Sequence, residues 1–208
     1  MGGSQPQIVD TYRAAAHSFA DLVRRIPTDR FDGPGLGEWD LRALVGHTSR
    51  SLATVITYLD APAEAVDITG PQEYYLKAAE VAATEGAGVL ERGRRAGSGL
   101  GADPAAAVDA MAAEAMTKLD GRGDELIAVL GGAGMRLFAY LPTRVFELTV
   151  HGFDIADATG LAFTPSEPAV RNAASLAAGI AAAMGQGEVV LRALTGRAPL
   201  PQPFSVTA

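Results

Sequence analysis

Apolar side chains recur every three or four residues along several segments of the chain, which is the spacing of one face of an α-helix. The clearest of these segments runs from Gln7 to Ile26, and Pro27 ends it. Only 6% of the residues are aromatic although 48% are hydrophobic, because alanine supplies much of the apolar content. Alanine favours closely packed helices over a sheet. The sequence therefore predicts an all-α protein.

Residues that start and end helices divide the chain further. Asp40 is placed to cap a helix that reaches Leu59, and Trp39 is expected to pack this cap onto the core. Asp103 and Pro104 are typical of a helix start, and that helix is expected to reach residue 130. The other predicted segments are a helix over 71–95, a flexible link over 97–101, an irregular or strand-like stretch over 135–141, a helix from Pro142 to Gly160, and helices over 166–184 and 188–194.

Charge and composition exclude several classes of partner and site. The formal net charge is −7 and lysine occurs only at Lys77 and Lys118, which argues against a nucleic-acid partner. The chain has no cysteine, so a thiolate metal ligand and a protein thiol nucleophile are both excluded. Any metal site must therefore use nitrogen and oxygen ligands.

The distribution of apolar residues favours a protein that does not enter a membrane. The amino terminus lacks the pattern of a signal peptide, and the longest apolar stretch, 173–184, is too short to span a bilayer. We therefore expect a cytoplasmic location. The alanine-rich face over 173–183 offers a surface on which a second copy could form a homodimer.

Two polar residues four positions apart indicate where chemistry could occur. Glu147 and His151 share one face of an apolar helix, where burial is costly unless each side chain has a partner. A divalent metal would satisfy both, and His47, in the middle of another apolar helix, is a candidate third ligand. The alternative is that His47 is a hydrogen-bonded core histidine and Glu147 a surface charge. Two imidazoles and one carboxylate would leave positions open on zinc, ferrous iron or nickel, as catalytic sites do.

Arg144 and Asp154 continue the same helical face. Asp154 is placed to accept a proton from a ligand histidine, which would fix the tautomer of that histidine. Arg144 either pairs with Glu147, as an ordinary ion pair within a helix, or holds a carboxylate of the substrate. We expect His17 to be structural or exposed.

Three segments resemble a known family. Residues 37–47, with the sequence GEWDLRALVGH, are similar to the tryptophan-to-histidine signature of the mycothiol-dependent maleylpyruvate isomerase family. Residues 144–156, RVFELTVHGFDIA, resemble its second signature, and residues 190–197, VLRALTGR, resemble a tail found in many members. The resemblance implies a DinB-like four-helix bundle with additional short helices. It also implies that His47, Glu147 and His151 bind the metal, usually zinc.

The resemblance implies a division of the chain and an activity. Residues 1–165 are expected to form the metal-binding bundle, and residues 166–208 to add helices and a tail packed on the same domain, without the further carboxy-terminal domain of the full-length isomerase. The implied activity is that of a metal-dependent enzyme that uses mycothiol or a similar thiol for isomerisation or S-transfer on a small electrophile. The alternatives are a metal- or ligand-binding bundle without catalysis and a metal-dependent hydrolase.

Overall fold

The computed structural model describes residues 7–85 and 88–207. Helices account for most of these residues and the two short strands form one hairpin, so the prediction of an all-α protein is confirmed. The elements are α1 (Gln7–Arg24), α2 (Leu41–Tyr58), α3 (Pro71–Glu85), α4 (Gly88–Gly99), α5 (Pro104–Leu119), β1 (Leu126–Ala128), β2 (Gly134–Arg136), α6 (Leu137–Thr159), α7 (Glu167–Ala183) and α8 (Gly187–Leu194).

Four of the helices close into a bundle around one core. Helix α1 packs against α5 and α6, and α2 packs against the same two helices. Tyr12 and Phe19 of α1, Leu44 of α2 and Leu148 of α6 are completely buried between them. The other helices surround this bundle, with α4 along α2, α3 and α7 against α6, and α8 against α7. The expected four-helix bundle with additional helices is confirmed.

Capping residues begin or end several helices at the positions that the sequence predicts. The carboxylate of Asp40 accepts a hydrogen bond from the amide of Ala43 at 2.7 Å, and Asp103 caps the amide of Ala106 at 3.0 Å. Gly160 ends α6 with a φ of 74°, a conformation that glycine adopts without steric cost. These local interactions satisfy the free amides and carbonyls at helix ends, which is why short sequence patterns predict them.

The prediction that the fifth helix reaches residue 130 is wrong. Helix α5 ends at Leu119, and β1 and β2 then form an antiparallel hairpin in which Leu126 pairs with Arg136. Backbone hydrogen bonds from the segment that follows α2 extend this hairpin, because Ala63 donates to Leu126 and Ala128 donates to Ala61. These partners lie more than 60 residues apart in the sequence, so periodicity within the segment does not reveal the pairing.

Two other helix boundaries also differ from the predictions. Helix α6 begins at Leu137, so Pro142 lies within it, near its amino-terminal end, where the missing amide removes one hydrogen bond, to the carbonyl of Phe138. The segment predicted as a helix over 71–95 is helical in α3 and in α4, and the residues between them, 86 and 87, lie outside the described residues, so one continuous helix stays a prediction. The link predicted over 97–101 is wrong in part, because α4 continues to Gly99.

Within residues 7–85 and 88–207, none of the helices combines the length and the apolar character that a bilayer crossing requires.

Close packing of α4 on α2 depends on glycine. Gly97 is buried, and a methyl group in place of its hydrogen would lie 2.7 Å from the carbonyl oxygen of Arg42 in α2. Since this neighbour is backbone, it cannot rotate away, and the two helices would have to separate. The distance between α4 and α2 is thus set by the absence of a side chain at this position.

We expect Gly97→Ala to lower the free energy of unfolding by roughly 1–3 kcal/mol, as overpacking in a core does. Gly99→Ala, at the end of the same helix, is the matched control, because a methyl group there has no neighbour within 4 Å. The midpoint of urea unfolding measures both. Equal midpoints for the two variants would contradict the packing argument.

Candidate metal centre

The contact between α2 and α6 brings together the three residues that the sequence singles out. His47 lies on α2, and Glu147 and His151 lie one turn apart on α6. The Oε2 atom of Glu147 is 3.3 Å from Nε2 of His151 and 3.9 Å from Nε2 of His47. The two imidazole rings meet edge to face, with centroids 4.9 Å apart. Each side chain retains 16–20% of its accessible surface, so the cluster can be reached from outside.

The carboxylate of Glu147 stays ionised although it is buried. Burial alone would raise its pKa, but the neighbouring imidazoles of His151 and His47 and the positive charge of Arg144 hold the pKa well below its usual range. Its second oxygen, Oε1, accepts a hydrogen bond of 2.6 Å from the hydroxyl of Tyr75 in α3. Burial raises the pKa of Tyr75, so this hydroxyl keeps its proton and donates it. One oxygen of Glu147 is therefore engaged, and the other faces the histidines.

Asp154 orients His151 from the opposite side. Nδ1 of His151 lies 2.8 Å from a carboxylate oxygen of Asp154, and since a carboxylate can only accept, the imidazole donates through Nδ1. Nε2 then faces Glu147, which is the arrangement of a histidine that binds a metal. Burial lowers the pKa of His151, but Asp154 and Glu147 outweigh it and raise the pKa to about 9. The imidazole must therefore give up a proton from Nε2 to act as a ligand.

His47 is held in a different way. Burial lowers its pKa below the usual value although the carboxylate of Glu147 lies nearby, so the neutral imidazole is favoured. Its Nδ1 atom is buried and has no hydrogen-bond partner among the described residues. The ring instead lies against the indole of Trp39, with centroids 4.5 Å apart and a tilt of 33°.

Arg144 lies beside the cluster, but its hydrogen bonds go elsewhere. Its Nε–H donates to the hydroxyl of Thr143 at 3.0 Å, and Nη2 donates to the hydroxyl of Tyr74 at 3.3 Å. The guanidinium also lies over the rings of Tyr74 and Tyr140, at 5.3 and 5.0 Å from their centroids. The ion pair with Glu147, one of the two roles considered from the sequence, is not formed. Arg144 is 7% exposed and, among the described residues, no carboxylate lies within ion-pairing distance of it.

The donor set fits a divalent metal with nitrogen and oxygen ligands. A tetrahedral zinc ion with bonds of about 2.0–2.1 Å holds its ligand atoms roughly 3.3 Å apart. One ligand atom from each of His47, Glu147 and His151 lies within 4.8 Å of the other two, and the separations at Oε2 of Glu147 are 3.3 and 3.9 Å. Small side-chain rotations would close such a site. Three protein ligands would leave a fourth position for a water or a substrate atom.

Two residues of this centre have roles that the sequence pattern did not indicate. The sequence indicates only support of the α2 cap for Trp39, and it indicates no role at this centre for Tyr75. Trp39 lies before the first residue of α2, and Tyr75 lies on a different helix from Glu147, so periodicity within one helix does not reveal either contact. His17 is exposed on α1, in agreement with the prediction.

Comparison with known proteins agrees with the resemblance seen in the sequence. The family model described as the mycothiol maleylpyruvate isomerase N-terminal domain matches residues 12–156, which is more than half of the chain. The matched range contains His47, Glu147, His151 and Asp154. No curated protein and no solved structure matches the chain.

We expect Tyr75→Phe to weaken zinc binding by roughly 10–100-fold, the usual effect of losing a group that orients a metal ligand. Phenylalanine keeps the ring contacts with Tyr74 and Phe146 but cannot donate to Glu147. Tyr58→Phe is the matched control, because Tyr58 packs against Tyr140, away from the ligands. Competition with a chromogenic chelator measures the affinity, and equal zinc affinity in both variants would count against a role for Tyr75.

Proposed function

Because the chain belongs to the mycothiol maleylpyruvate isomerase N-terminal domain family, we propose that it is a metal-dependent enzyme. It would use a low-molecular-weight thiol to attack a small electrophilic substrate, and mycothiol is the first thiol to test. The observation that carries this proposal is the convergence of His47, Glu147 and His151 at one partly accessible point. Zinc is the proposed ion, and ferrous iron and nickel accept the same nitrogen and oxygen donors.

The proposed roles of the side chains follow from their hydrogen bonds. Nε2 of His47, Oε2 of Glu147 and Nε2 of His151 would hold the ion. When bound, the ion offers an open position to the thiol sulfur and lowers its pKa from ~8.5, which gives a thiolate at neutral pH. Asp154 keeps a proton on Nδ1 of His151, and Tyr75 holds Glu147 so that one oxygen points to the centre. The chain has no cysteine, so the nucleophile comes from solution.

Two reactions are open to such a thiolate. If it adds to an activated double bond, rotation about the resulting single bond and elimination of the thiol isomerise the substrate and regenerate the thiol. If it displaces a leaving group or opens an epoxide, the product keeps the sulfur, and the leaving group or the new alkoxide takes a proton. Both reactions need the same residues around the sulfur, so the proposal covers an isomerase and an S-transferase.

Arg144 is proposed to attract a negatively charged group of the substrate. Its partners, the hydroxyls of Thr143 and Tyr74 and the rings of Tyr74 and Tyr140, are all neutral. The charge of Arg144 acts on Glu147 only from beyond contact distance, and an anionic ligand directly beside the guanidinium would compensate its charge. The 7% of its surface that remains exposed supports this role.

Purified protein supplemented with zinc should carry about one ion per chain, as a site with three protein ligands predicts. His47→Ala and Glu147→Gln each remove a ligand and should lower zinc affinity by more than about 100-fold, beyond the loss typical of outer groups. His17→Ala is the control, since this histidine is exposed on α1. Elemental analysis after dialysis measures the metal. Equally low metal in wild type and variants would refute the metal centre.

Turnover of electrophiles should require the thiol. A panel of epoxides, haloalkanes and cis-configured activated alkenes, assayed with and without mycothiol, is expected to react only when the thiol is present. Because of the charge of Arg144, anionic members should have a higher kcat/KM than neutral analogues of the same size. Turnover that is unchanged without the thiol would indicate that the metal activates water instead. A metal-loaded protein that transforms no member of the panel would support a binding function without catalysis.

A further inference from the structure

Trp39 is the only tryptophan in the sequence, and it lies directly against the proposed metal ligand His47. It precedes the cap residue Asp40, so it belongs to the loop before α2 and not to the helix that carries His47. The indole is half-buried and packs against the hydrophobic core. Its position needs an explanation beyond support of the helix cap, because the cap contact between Asp40 and Ala43 does not involve the ring.

Helix α4 contacts the indole through two residues, both near its Nε1 atom. The Nε1–H of Trp39 donates to the carbonyl of Leu90 at 3.0 Å. One turn further along α4, Gly93 is buried, and a methyl group in its place would lie 2.6 Å from Cε2 and Nε1 of the indole. Helix α4 therefore binds the indole through one residue and makes room for it through another.

The two histidines of the centre differ in what holds the ring. His151 is fixed through Nδ1 by Asp154, as is usual for a histidine that binds a metal through Nε2. His47 has no such partner, because its Nδ1 is buried without a hydrogen bond among the described residues. Of the two ring contacts of this imidazole among the described residues, the nearer is with Trp39, whose centroid is 4.5 Å away, against 4.9 Å for His151. Stacking thus takes the place of the missing hydrogen bond.

We propose that Trp39 is a positioning residue for His47. The indole donates a hydrogen bond to Leu90 and fits against Gly93, and its face sets the plane of the imidazole so that Nε2 of His47 faces Glu147. This inference rests on the proposed metal centre and extends it to α4, which supplies no ligand. Trp39 does not need to touch the substrate for this role. It acts through the orientation of His47 alone.

Zinc affinity, measured by chelator competition, tests the proposal. Trp39→Leu removes the aromatic face and should weaken binding by roughly 10–100-fold, as loss of an orienting group does. Gly93→Ala displaces the indole and should weaken binding similarly, while Trp39→Phe keeps a ring against His47 and should retain most of the affinity. Val108→Ala, a core truncation in α5, is the control for general destabilisation, and its zinc affinity should equal that of wild type.

A readout without metal separates this inference from the proposed function. In the metal-free protein, nuclear Overhauser effects between the rings of Trp39 and His47 should be present in wild type and lost in Gly93→Ala. The emission of the single tryptophan should shift in the same variant, since displacement changes its environment. The nuclear Overhauser effects report the contact itself, and the emission reports the environment of the indole.

The results of these experiments separate the positioning role of Trp39 from the metal centre. Zinc affinity that is unchanged in Trp39→Leu, or reduced equally in Val108→Ala, overturns the positioning role while the metal centre stands. If wild type binds no zinc, the proposed function fails, and the positioning role is decided by the metal-free protein alone. Ring-to-ring effects that are present in wild type and lost in Gly93→Ala then support it, and their absence from wild type overturns it.

Discussion

A half-buried carboxylate is the constraint around which this bundle is arranged. Glu147 is largely removed from solvent and keeps its charge, which is costly unless polar groups surround it. Its partners come from three helices: His47 from α2, Tyr75 from α3, and His151 from α6 itself. The helices must therefore pack at a rotation and a height that bring these groups within reach of one carboxylate. Apolar contacts alone would be compatible with several rotations and heights of these helices.

The proposed ligands and the groups that contact them come from different parts of the fold. The bundle helices α2 and α6 supply His47, Glu147 and His151, while α3, outside the bundle, supplies the hydroxyl that orients Glu147. Helix α4, also outside, holds Trp39 against His47. The additional helices are thus tied to the centre through single contacts. Changes in them can alter the centre without changing any ligand.

Sequence patterns predicted interactions within single helices, but they did not predict contacts between segments far apart in the chain. The caps at Asp40 and Asp103 and the shared face of Glu147, His151 and Asp154 follow from spacing within one helix, so the pattern was enough. The extension of the β-hairpin by Ala61 and Ala63, the bond from Tyr75 to Glu147 and the anchoring of Trp39 on Leu90 depend on contacts between segments far apart in the chain. His47 was recognised by its family signature, because spacing alone also allowed a core histidine. The start of α6 was misplaced because Pro142 is tolerated inside it.

The chain positions of the three proposed ligands would have a thermodynamic consequence for the fold if they bind an ion together. Glu147 and His151 share one helical turn, but His47 lies about 100 residues earlier, so an ion held by all three would close a loop of that length. A cross-link that closes such a loop removes conformational freedom from the unfolded chain worth on the order of 4–5 kcal/mol in the loop-entropy model. The ion would then cross-link α2, which carries His47, to α6, which carries Glu147 and His151. Occupancy of the centre and resistance to unfolding would rise and fall together.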